Sequence, residues 1–443
     1  MFWSCFLAGF VALLTPCVWP IIPMTVSFFL KRTQSRSKAI SDALTYGLSI
    51  IIIYVALGII VTLWKGASGL NDLSTNAVVN IFFALMLIVF GISFLGAFEI
   101  TLPSSWSSAV DNKASQSRGF GGIFLMAFTL ALVSFSCTGP IIGFLLVELG
   151  TGSNISGPVV GMLGFALALA LPFTIFALFP AWLQKMPRSG SWMMTVKAVL
   201  GFIELAFALK FLSVADLAYG WGILPRETFI VIWAALALAL GLYLWGSLRL
   251  SHDGPSEGIG TVRLLLGTAS IAFCLYLIPG LWGAPLKAVS AFVPPMHTQD
   301  FVLGQQMPHA KYTSYEEGLQ EAKRTGKPIL IDFTGHGCVN CRQMEQAVWT
   351  DPRVAEKLTN DYILISLYVD DKRPLEEGKT EVTERDGSKT ILRTIGDKWS
   401  FLQRSKYGVN AQPFYVKLNN NEEMLGAPQK FTTSVEEFLQ FLK

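Results

Sequence analysis

Cys338 and Cys341 form a C-x-x-C motif in the stretch GHGCVNC. Two intervening residues put both sulfurs on one helical turn, close enough to form a disulfide. At a helix N-terminus, exposed N–H groups and the helix dipole would favour the thiolate of Cys338. Cys338 is therefore expected to be the attacking cysteine and Cys341 the resolving one. Zinc binding would need two further ligands, and the sequence has no second C-x-x-C and no paired histidines, so we expect no metal site.

A second kind of cysteine lies in an apolar stretch near the start of the chain. In LLTPCVWPIIP, Cys17 is surrounded by Pro16, Pro20 and Pro23. A proline inside a helix costs about 3 kcal/mol because it removes a backbone donor and clashes with the preceding turn. Three prolines around one thiol predict broken helices and a polar pocket in which that thiol can ionise.

The same pattern recurs in SFSCTGPII, where Gly139 and Pro140 follow Cys137. The two segments are three predicted spans apart and would therefore enter a membrane in opposite directions. This arrangement predicts an inverted repeat of spans 1–3 and 4–6, with a site near the midplane that can be reached from either side. The alternative is that both cysteines are small core residues and the prolines only kink helices.

The elements that must position the C-x-x-C motif can be read around it. Ser314 and Glu317 have capping-box spacing, so a helix is predicted from Ser314 to Gly326. PILIDF, residues 328–333, predicts a buried strand before the motif, YILISLYVD a second strand and FYVKL a third. A C-x-x-C at a strand-to-helix junction is typical of a thioredoxin-like redox domain.

Several residues near the motif are candidates for supporting roles. Asp332 lies in a buried strand, where it is either a proton acceptor or a hydrogen-bonded structural group. Glu345, one turn beyond Cys341, either tunes the cysteine pair or lies on a solvated helix face. His336 is read as a loop residue rather than a base. In a thioredoxin-like fold the position of Pro413 carries a cis-proline beside the disulfide, so Gln412 and Pro413 are candidate substrate contacts.

The composition is that of a membrane protein. Hydrophobic residues make up 52% of the 443 residues and charged residues only 15%, which is too apolar for an ordinary soluble chain. We predict a polytopic α-helical domain of eight spans followed by an α/β thioredoxin-like domain. A cleaved signal peptide is disfavoured because the first span has no basic leader and contains three prolines. The predicted spans are 2–30, 40–64, 77–98, 120–147, 157–184, 198–220, 228–248 and 264–286.

Lysine and arginine are concentrated in alternate loops, beginning with KRTQSRSK at residues 31–38. Because positively charged loops stay cytoplasmic, both termini and the soluble domain are predicted to lie outside the cytoplasm. No basic stretch interleaved with aromatic residues suggests nucleic-acid binding.

These features divide the chain into a membrane domain at 1–286, a linker at 287–310 and a soluble domain at 311–443. The linker is polar and contains prolines, so we expect a tether that keeps the soluble domain near the membrane. Glu204, inside the sixth span, is either functional or a buried structural carboxylate. Cys5 and Cys274 lack proline-rich surroundings and are interpreted as bystanders.

Taken together, TPCVWPIIP, SCTGPII, the eight spans and the C-terminal GCVNC domain resemble the DsbD family of thiol:disulfide interchange proteins, whose membrane part is of the CcdA type. The resemblance covers nearly the whole chain. It implies a protein of the bacterial inner membrane with an intramembrane Cys17–Cys137 pair. Cytoplasmic thioredoxin would reduce this pair. That pair would reduce the periplasmic Cys338–Cys341 pair, which Asp332 and Glu345 would tune. Acceptors would serve disulfide isomerisation and cytochrome c maturation, with no cofactor beyond the disulfides.

The chain departs from the family at two places. Met1 begins directly at the first span, so the further N-terminal periplasmic domain of the family is expected to be absent. Gly337 stands where a tryptophan commonly precedes the first cysteine. Two other functions remain open: a transporter of a small solute, such as a thiol compound, with an accessory soluble domain, and a non-catalytic scaffold for cytochrome maturation.

Overall fold

The structure is a computed structural model of the 443-residue chain. It describes residues 2–13, 40–56, 59, 75–98, 121, 123–124, 127–128, 131, 156–178, 191–250, 259–301, 308–376, 378–385, 387 and 389–443.

The chain divides into two compact units. The first takes its described residues from Met1–Ser74, Met86–Leu205 and Arg249–Glu257. The second takes them from Thr75–Leu85, Ala206–Leu248 and Gly258–Lys443. The second unit therefore combines parts of the apolar N-terminal region with the whole C-terminal segment.

Apolar helices make up most of the described residues up to residue 282. Seven are described: α1 (Phe2–Ala12), α2 (Ile40–Ala56), α3 (Ala77–Phe94), α4 (Ser156–Leu178), α5 (Ser191–Tyr219), α6 (Arg226–Leu244) and α7 (Thr261–Leu277). Small residues let them approach closely, as is usual between helices in a bilayer. A Cβ added to Gly9 of α1 would lie 2.6 Å from the Cβ of Ala168 in α4.

Within the described residues, four helical stretches are long and apolar enough to cross a bilayer: Ala77–Phe94, Met194–Tyr219, Arg226–Leu244 and Thr261–Trp282. This confirms a membrane domain built from several apolar helices. The number of eight spans stays a prediction, because most of the predicted span 120–147 lies outside the described residues. The predicted inverted repeat also depends on that part of the chain.

The first part of the predicted linker is not a free tether. Short 3-10 turns at Ile278–Trp282, Lys287–Val289 and Met296–Thr298 carry the chain from α7 to residue 301. Val289 and Val293 pack against Phe229 and Ile230 of α6. The polar and proline content suggested a tether, but these interspersed valines bind residues 287–301 to the membrane helices.

Three strands form the sheet of the C-terminal domain: β1 (Ile329–Thr334), β2 (Ile363–Tyr368) and β5 (Phe414–Leu418). β1 lies in the middle, parallel to β2 and antiparallel to β5. All three predicted strands are confirmed. A separate hairpin, β3 (Thr380–Thr383) and β4 (Lys389–Leu392), was not predicted because its exposed, mostly polar residues give little periodic signal.

Helices cover both faces of this sheet. They are α8 (Tyr315–Thr325), α9 (Val339–Met344), α10 (Pro352–Asn360), α11 (Ile395–Leu402) and α12 (Val435–Phe441). Side chains alternate along β1, so Ile331 and Phe333 face one core with Trp399, whereas Leu330 faces the other with Met344 and Phe438. Asp332 shares the face of Leu330 by this alternation, which is the side on which α9 packs.

The predicted capping box at the start of α8 is wrong. The helix does begin after Ser314 and end at Gly326, which takes a left-handed conformation. However, the Ser314 hydroxyl donates to the Glu316 carboxylate at 2.8 Å instead of capping a backbone N–H. A hydrogen bond to a charged carboxylate is strong, and it holds the hydroxyl toward Glu316, where its oxygen accepts no bond from a helix N–H.

Gly396, at the start of α11, packs against the loop that follows β2. A Cβ added there would lie 2.7 Å from three backbone atoms, the nitrogen and oxygen of Asp371 and the oxygen of Val369. Backbone cannot rotate away, so Gly396→Ala should destabilise the domain by about 3 kcal/mol and lower its midpoint of thermal unfolding by about 10 °C. Protease sensitivity of β2 in the detergent-solubilised chain would measure this midpoint.

Lys398→Ala on the same helix is the control. It removes a surface ion pair with Glu316 and a cation–π contact with the Trp399 ring, each worth less than about 1 kcal/mol. Equal midpoints for Gly396→Ala and the parent would contradict the packing described for this loop.

Candidate active site around the C-x-x-C disulfide

Cys338 and Cys341 are joined by a disulfide, and their Cα atoms are 5.3 Å apart. Cys338 is the N-cap residue of α9, and its sulfur accepts a hydrogen bond from the N–H of Cys341 at 3.1 Å. Cys341 is only 1% exposed, whereas Cys338 is half-buried. Of the two sulfurs, that of Cys338 is therefore the one that an incoming thiol could approach, and the role of Cys338 as the attacking cysteine stays a prediction.

A buried carboxylate holds the loop that precedes Cys338. The two oxygens of Asp370 accept hydrogen bonds from the backbone N–H groups of His336 at 2.8 Å and Gly337 at 2.9 Å. Sequence reasoning missed Asp370. The signal was present, since Asp370 closely follows β2, and the carboxyl ends of adjacent parallel strands lie at the same edge of a sheet.

Asp332 lies at the centre of the sheet and is 1% exposed. Its neighbours across the two ladders are Ser366 and Tyr415. One of its oxygens accepts a hydrogen bond from the Ser366 hydroxyl at 3.1 Å. Burial, reinforced by the charge of Glu345, raises the pKa of Asp332 from 3.8 to about 7, so this carboxyl can exchange a proton near neutral pH.

Glu345 forms a buried ion pair with Arg342 at 2.7 Å, rather than lying on a solvated helix face. Arg342 also donates to the Thr334 hydroxyl at 3.2 Å. Burial raises the pKa of Glu345, while the charges of Arg342 and Arg226 oppose that rise. This pair sets the local charge one turn from Cys341, and breaking a buried pair typically costs about 3–5 kcal/mol.

His336 is a packed loop residue. Its ring stacks on Tyr368 with centroids 4.2 Å apart. Burial lowers its pKa, which keeps the imidazole neutral at physiological pH. The ring of His297 lies edge-on to the same tyrosine, with ring centroids 5.9 Å apart.

The Gln412–Pro413 peptide bond is cis, as expected at this position. It lies directly before β5, the strand beside β1. The Gln412 amide donates to Gln403, which in turn donates to the carbonyl of Ala411. Gln403 therefore fixes the segment that leads to the cis bond. The role of Gln412 and Pro413 in substrate contact stays a prediction.

The other predicted site residues are in the membrane domain. Cys17, Cys137, Pro16, Pro20, Pro23, Gly139 and Pro140 lie outside the described residues. Glu204, in α5, is 1% exposed, and its Oε2 has no hydrogen-bond partner in the described part of the chain. Cys5 and Cys274 are free and buried.

A metal site finds no support in the described ranges, which contain no group of three histidine, cysteine, aspartate or glutamate side chains placed to hold an ion. What the site can do with its own atoms is thiol–disulfide exchange. It offers one approachable sulfur, one buried sulfur and a carboxyl that titrates near neutrality.

Comparison with known proteins agrees with this architecture. Residues 1–215 match the family described as cytochrome C biogenesis protein transmembrane domain, and residues 310–391 match a thioredoxin-like family.

Three similar proteins carry the same name, thiol:disulfide interchange protein DsbD. That of Ralstonia nicotianae is 25% identical over 361 residues, covering 80% of this chain and 57% of the relative. DsbD 1 of Pseudomonas aeruginosa is 26% identical, covering 90% and 66%. That of Haemophilus ducreyi is 28% identical, covering 81% and 59%. The chain thus spans about three-fifths of the length of these relatives.

Fold and site define a multi-pass membrane protein whose thioredoxin-like domain carries a disulfide-bonded C-x-x-C pair. In its transmembrane and thioredoxin-like matches and in these relatives, the chain is similar to the thiol:disulfide interchange proteins named DsbD.

The raised pKa of Asp332 links stability to pH. A carboxyl whose pKa is higher in the folded state stabilises the fold while protonated and loses this contribution as pH rises from about 4 through about 7. Asp332→Asn imitates the protonated form, so at pH 8 it should be more stable than the parent by at most about 4 kcal/mol and should unfold at a higher temperature. At pH 4.5, slightly above the ordinary pKa of 3.8, this advantage should fall to about 1 kcal/mol.

Asp361→Asn, at an exposed position paired with Lys357, controls for the loss of one carboxylate. Thermal unfolding of the detergent-solubilised chain at the two pH values gives the comparison. A difference between Asp332→Asn and the parent that does not change with pH would rule out the raised pKa.

Proposed function

We propose that the chain is a membrane protein-disulfide reductase that passes reducing equivalents through Cys17 and Cys137 to the Cys338–Cys341 disulfide. The observation that carries this proposal is the C-x-x-C disulfide at the start of α9, with one approachable and one buried sulfur. In this proposal residues 1–286 form the electron-transfer domain, and residues 311–443 form the thioredoxin-like domain that receives the electrons.

The transfer is a two-electron exchange. A thiolate of the Cys17–Cys137 dithiol attacks the sulfur of Cys338, and the bond between Cys338 and Cys341 breaks. Cys341 leaves as a thiolate and takes up a proton. The second membrane thiol then attacks the mixed disulfide, so the membrane pair becomes oxidised and Cys338 is released reduced.

Asp332 and Glu345 have separate parts in this exchange. Because its pKa is about 7, Asp332 can supply a proton to the leaving thiolate of Cys341 and accept one when the pair is oxidised again. The Arg342–Glu345 ion pair fixes the local charge near the buried sulfur. Gln412 and Pro413 would present backbone to the protein whose disulfide is reduced.

Thioredoxin in the cytoplasm is the proposed donor, and thiol–disulfide proteins of the periplasm are the proposed acceptors, including those that serve cytochrome c maturation. The domain would lie in the bacterial inner membrane with both termini periplasmic. Transfer from about −270 mV to acceptors at about −180 to −120 mV is downhill by several kcal/mol. No nucleotide or ion gradient is needed.

Redox trapping tests the relay. The oxidised full chain is reconstituted in vesicles, and reduced thioredoxin is supplied on the side of the basic loops. The reaction is quenched with a mass-tagging maleimide. Cys338 and Cys341 should be tagged in the parent and should stay untagged in Cys17→Ser and in Cys137→Ser, because each variant removes one member of the proposed membrane pair.

Cys5→Ser and Cys274→Ser are the matched controls, since both thiols are free and buried in the structure. These two variants should behave as the parent does. Equal tagging of Cys338 in all five proteins, or in none of them, would overturn the relay and favour a transport function for the membrane domain.

A further inference from the structure

The loop that carries Cys338 lies against the ends of two membrane helices. A Cβ added to Gly337 would lie 3.3 Å from the Cγ2 of Thr75 and 3.6 Å from the Cγ1 of Val214. Thr75 closely precedes α3, and Val214 lies near the end of α5. Gly337 itself has an ordinary backbone conformation, since its φ is not positive. The missing side chain therefore matters for the close approach of these surfaces rather than for the turn.

A second contact joins the same helix ends to the loop after β2. The N–H of Lys372 donates to the carbonyl of Ala218 at 2.8 Å. Gly220 faces the aliphatic part of Arg373. A Cβ added to Gly220 would lie 3.2 Å from the Cδ of Arg373. Ala218 lies in the last turn of α5, and Gly220 begins the connection between α5 and α6.

That connection is itself held in place. The two oxygens of Asp216 accept hydrogen bonds from the N–H groups of Ile223 at 2.9 Å and Leu224 at 3.0 Å. Gly220 then turns with φ +66°, a conformation that suits glycine. The surface offered to the thioredoxin-like domain is therefore a fixed turn.

Asp370 links the two contacts on the thioredoxin-like side. It accepts hydrogen bonds from His336 and Gly337, and it lies two residues before Lys372. Asp370 therefore connects the segment that contains Lys372 to the backbone immediately before Cys338. The stack of His336 on Tyr368, with His297 at its edge, adds a third connection between the segment after α7 and the same loop.

We propose that Thr75, Val214, Ala218 and Gly220 form a docking site for the C-x-x-C loop of the same chain, and that Gly337 is the residue that permits docking. We call these four residues the docking site. The inference rests on the proposed function, because docking here would hold Cys338 next to the membrane domain while electrons are delivered. Close approach is required, since exchange needs an attacking thiolate in contact with the disulfide.

The surfaces suit this occupant. The side chains of the docking site are uncharged, and a Cβ added to Gly337 would crowd two of them, Thr75 and Val214. The backbone hydrogen bond from Lys372 to Ala218 fixes the register. A covalently linked domain needs little intrinsic affinity, because its effective concentration near the site is already high.

Amide hydrogen exchange of the oxidised full chain in lipid nanodiscs tests the docking. In the parent, the Lys372 amide should be protected by Ala218. Gly337→Trp should raise its exchange about tenfold or more, because the indole cannot fit against Thr75 and Val214, while the amides of β2 keep their protection. Combining Gly337→Trp with Thr75→Ala should recover part of the protection of the Lys372 amide, because Thr75→Ala removes the Cγ2 that crowds position 337.

Val339→Trp is the matched control. It places the same side chain two residues away, at a position that is 40% exposed, and should leave Lys372 protected. If Gly337→Trp also loses protection in β2, Val214→Trp, which changes only the membrane side, replaces it in the same comparison. Unchanged Lys372 exchange in Gly337→Trp, or in its replacement, would overturn the docking site.

The rate at which thioredoxin-fed electrons reach Cys338 separates this inference from the proposed function. Slower reduction in Gly337→Trp, together with faster Lys372 exchange, supports docking as a step in delivery. Faster exchange with an unchanged reduction rate overturns that role. Failure of the relay itself appears differently, as a parent chain whose Lys372 is protected but whose Cys338 is never reduced.

Discussion

The carboxylate of Asp370 fixes the backbone on which the site depends. Its two oxygens receive the N–H groups of His336 and Gly337, so the turn from β1 into α9 has one defined path. That path makes Cys338 the N-cap of α9 and leaves its sulfur approachable, while Cys341 is carried into the core. Parallel pairing of β1 with β2 supplies the geometry, because it delivers Asp370 to the edge where α9 begins.

Around this turn the domain buries charge in a way that requires compensation. Arg342 is held by Glu345 and Thr334, and Asp332 is held by Ser366. Buried carboxyls and a buried guanidinium are costly unless they are paired. In a domain of this size such costs are tolerated when the groups serve the chemistry, and here they surround the helix that carries both cysteines.

Local spacing made the soluble domain predictable. The apolar run PILIDF and the C-x-x-C that follows it are enough to predict a strand, a turn and a helix, and the structure confirms all three. The cis bond before Pro413 was also anticipated. Prediction was poorer where partners are distant in sequence. Asp370 was missed because its role depends on strand pairing.

Local patterns did not reveal some contacts. Ser314 has the spacing of a capping residue, but its hydroxyl donates to Glu316 and caps no helix N–H. The linker was expected to act as a tether, and no local pattern indicated that its Val289 and Val293 pack on α6. The contact of Gly337 with Thr75 and Val214 joins residues more than a hundred positions apart, so it could only be found in three dimensions.

In the proposed relay, electrons pass directly between a cysteine of the membrane domain and Cys338, and this exchange is reversible. In Cys341→Ser, Cys338 is a free thiol whose thiolate can attack the oxidised Cys17–Cys137 disulfide. The attack forms a mixed disulfide and releases one membrane thiol. Incubation of this variant in vesicles with its membrane pair oxidised and without thioredoxin, followed by acid quenching, protease digestion and mass spectrometry, would identify the partner of Cys338. Direct transfer predicts a peptide that joins Cys338 to Cys17 or Cys137. A Cys338 that remains a free thiol throughout would rule direct transfer out.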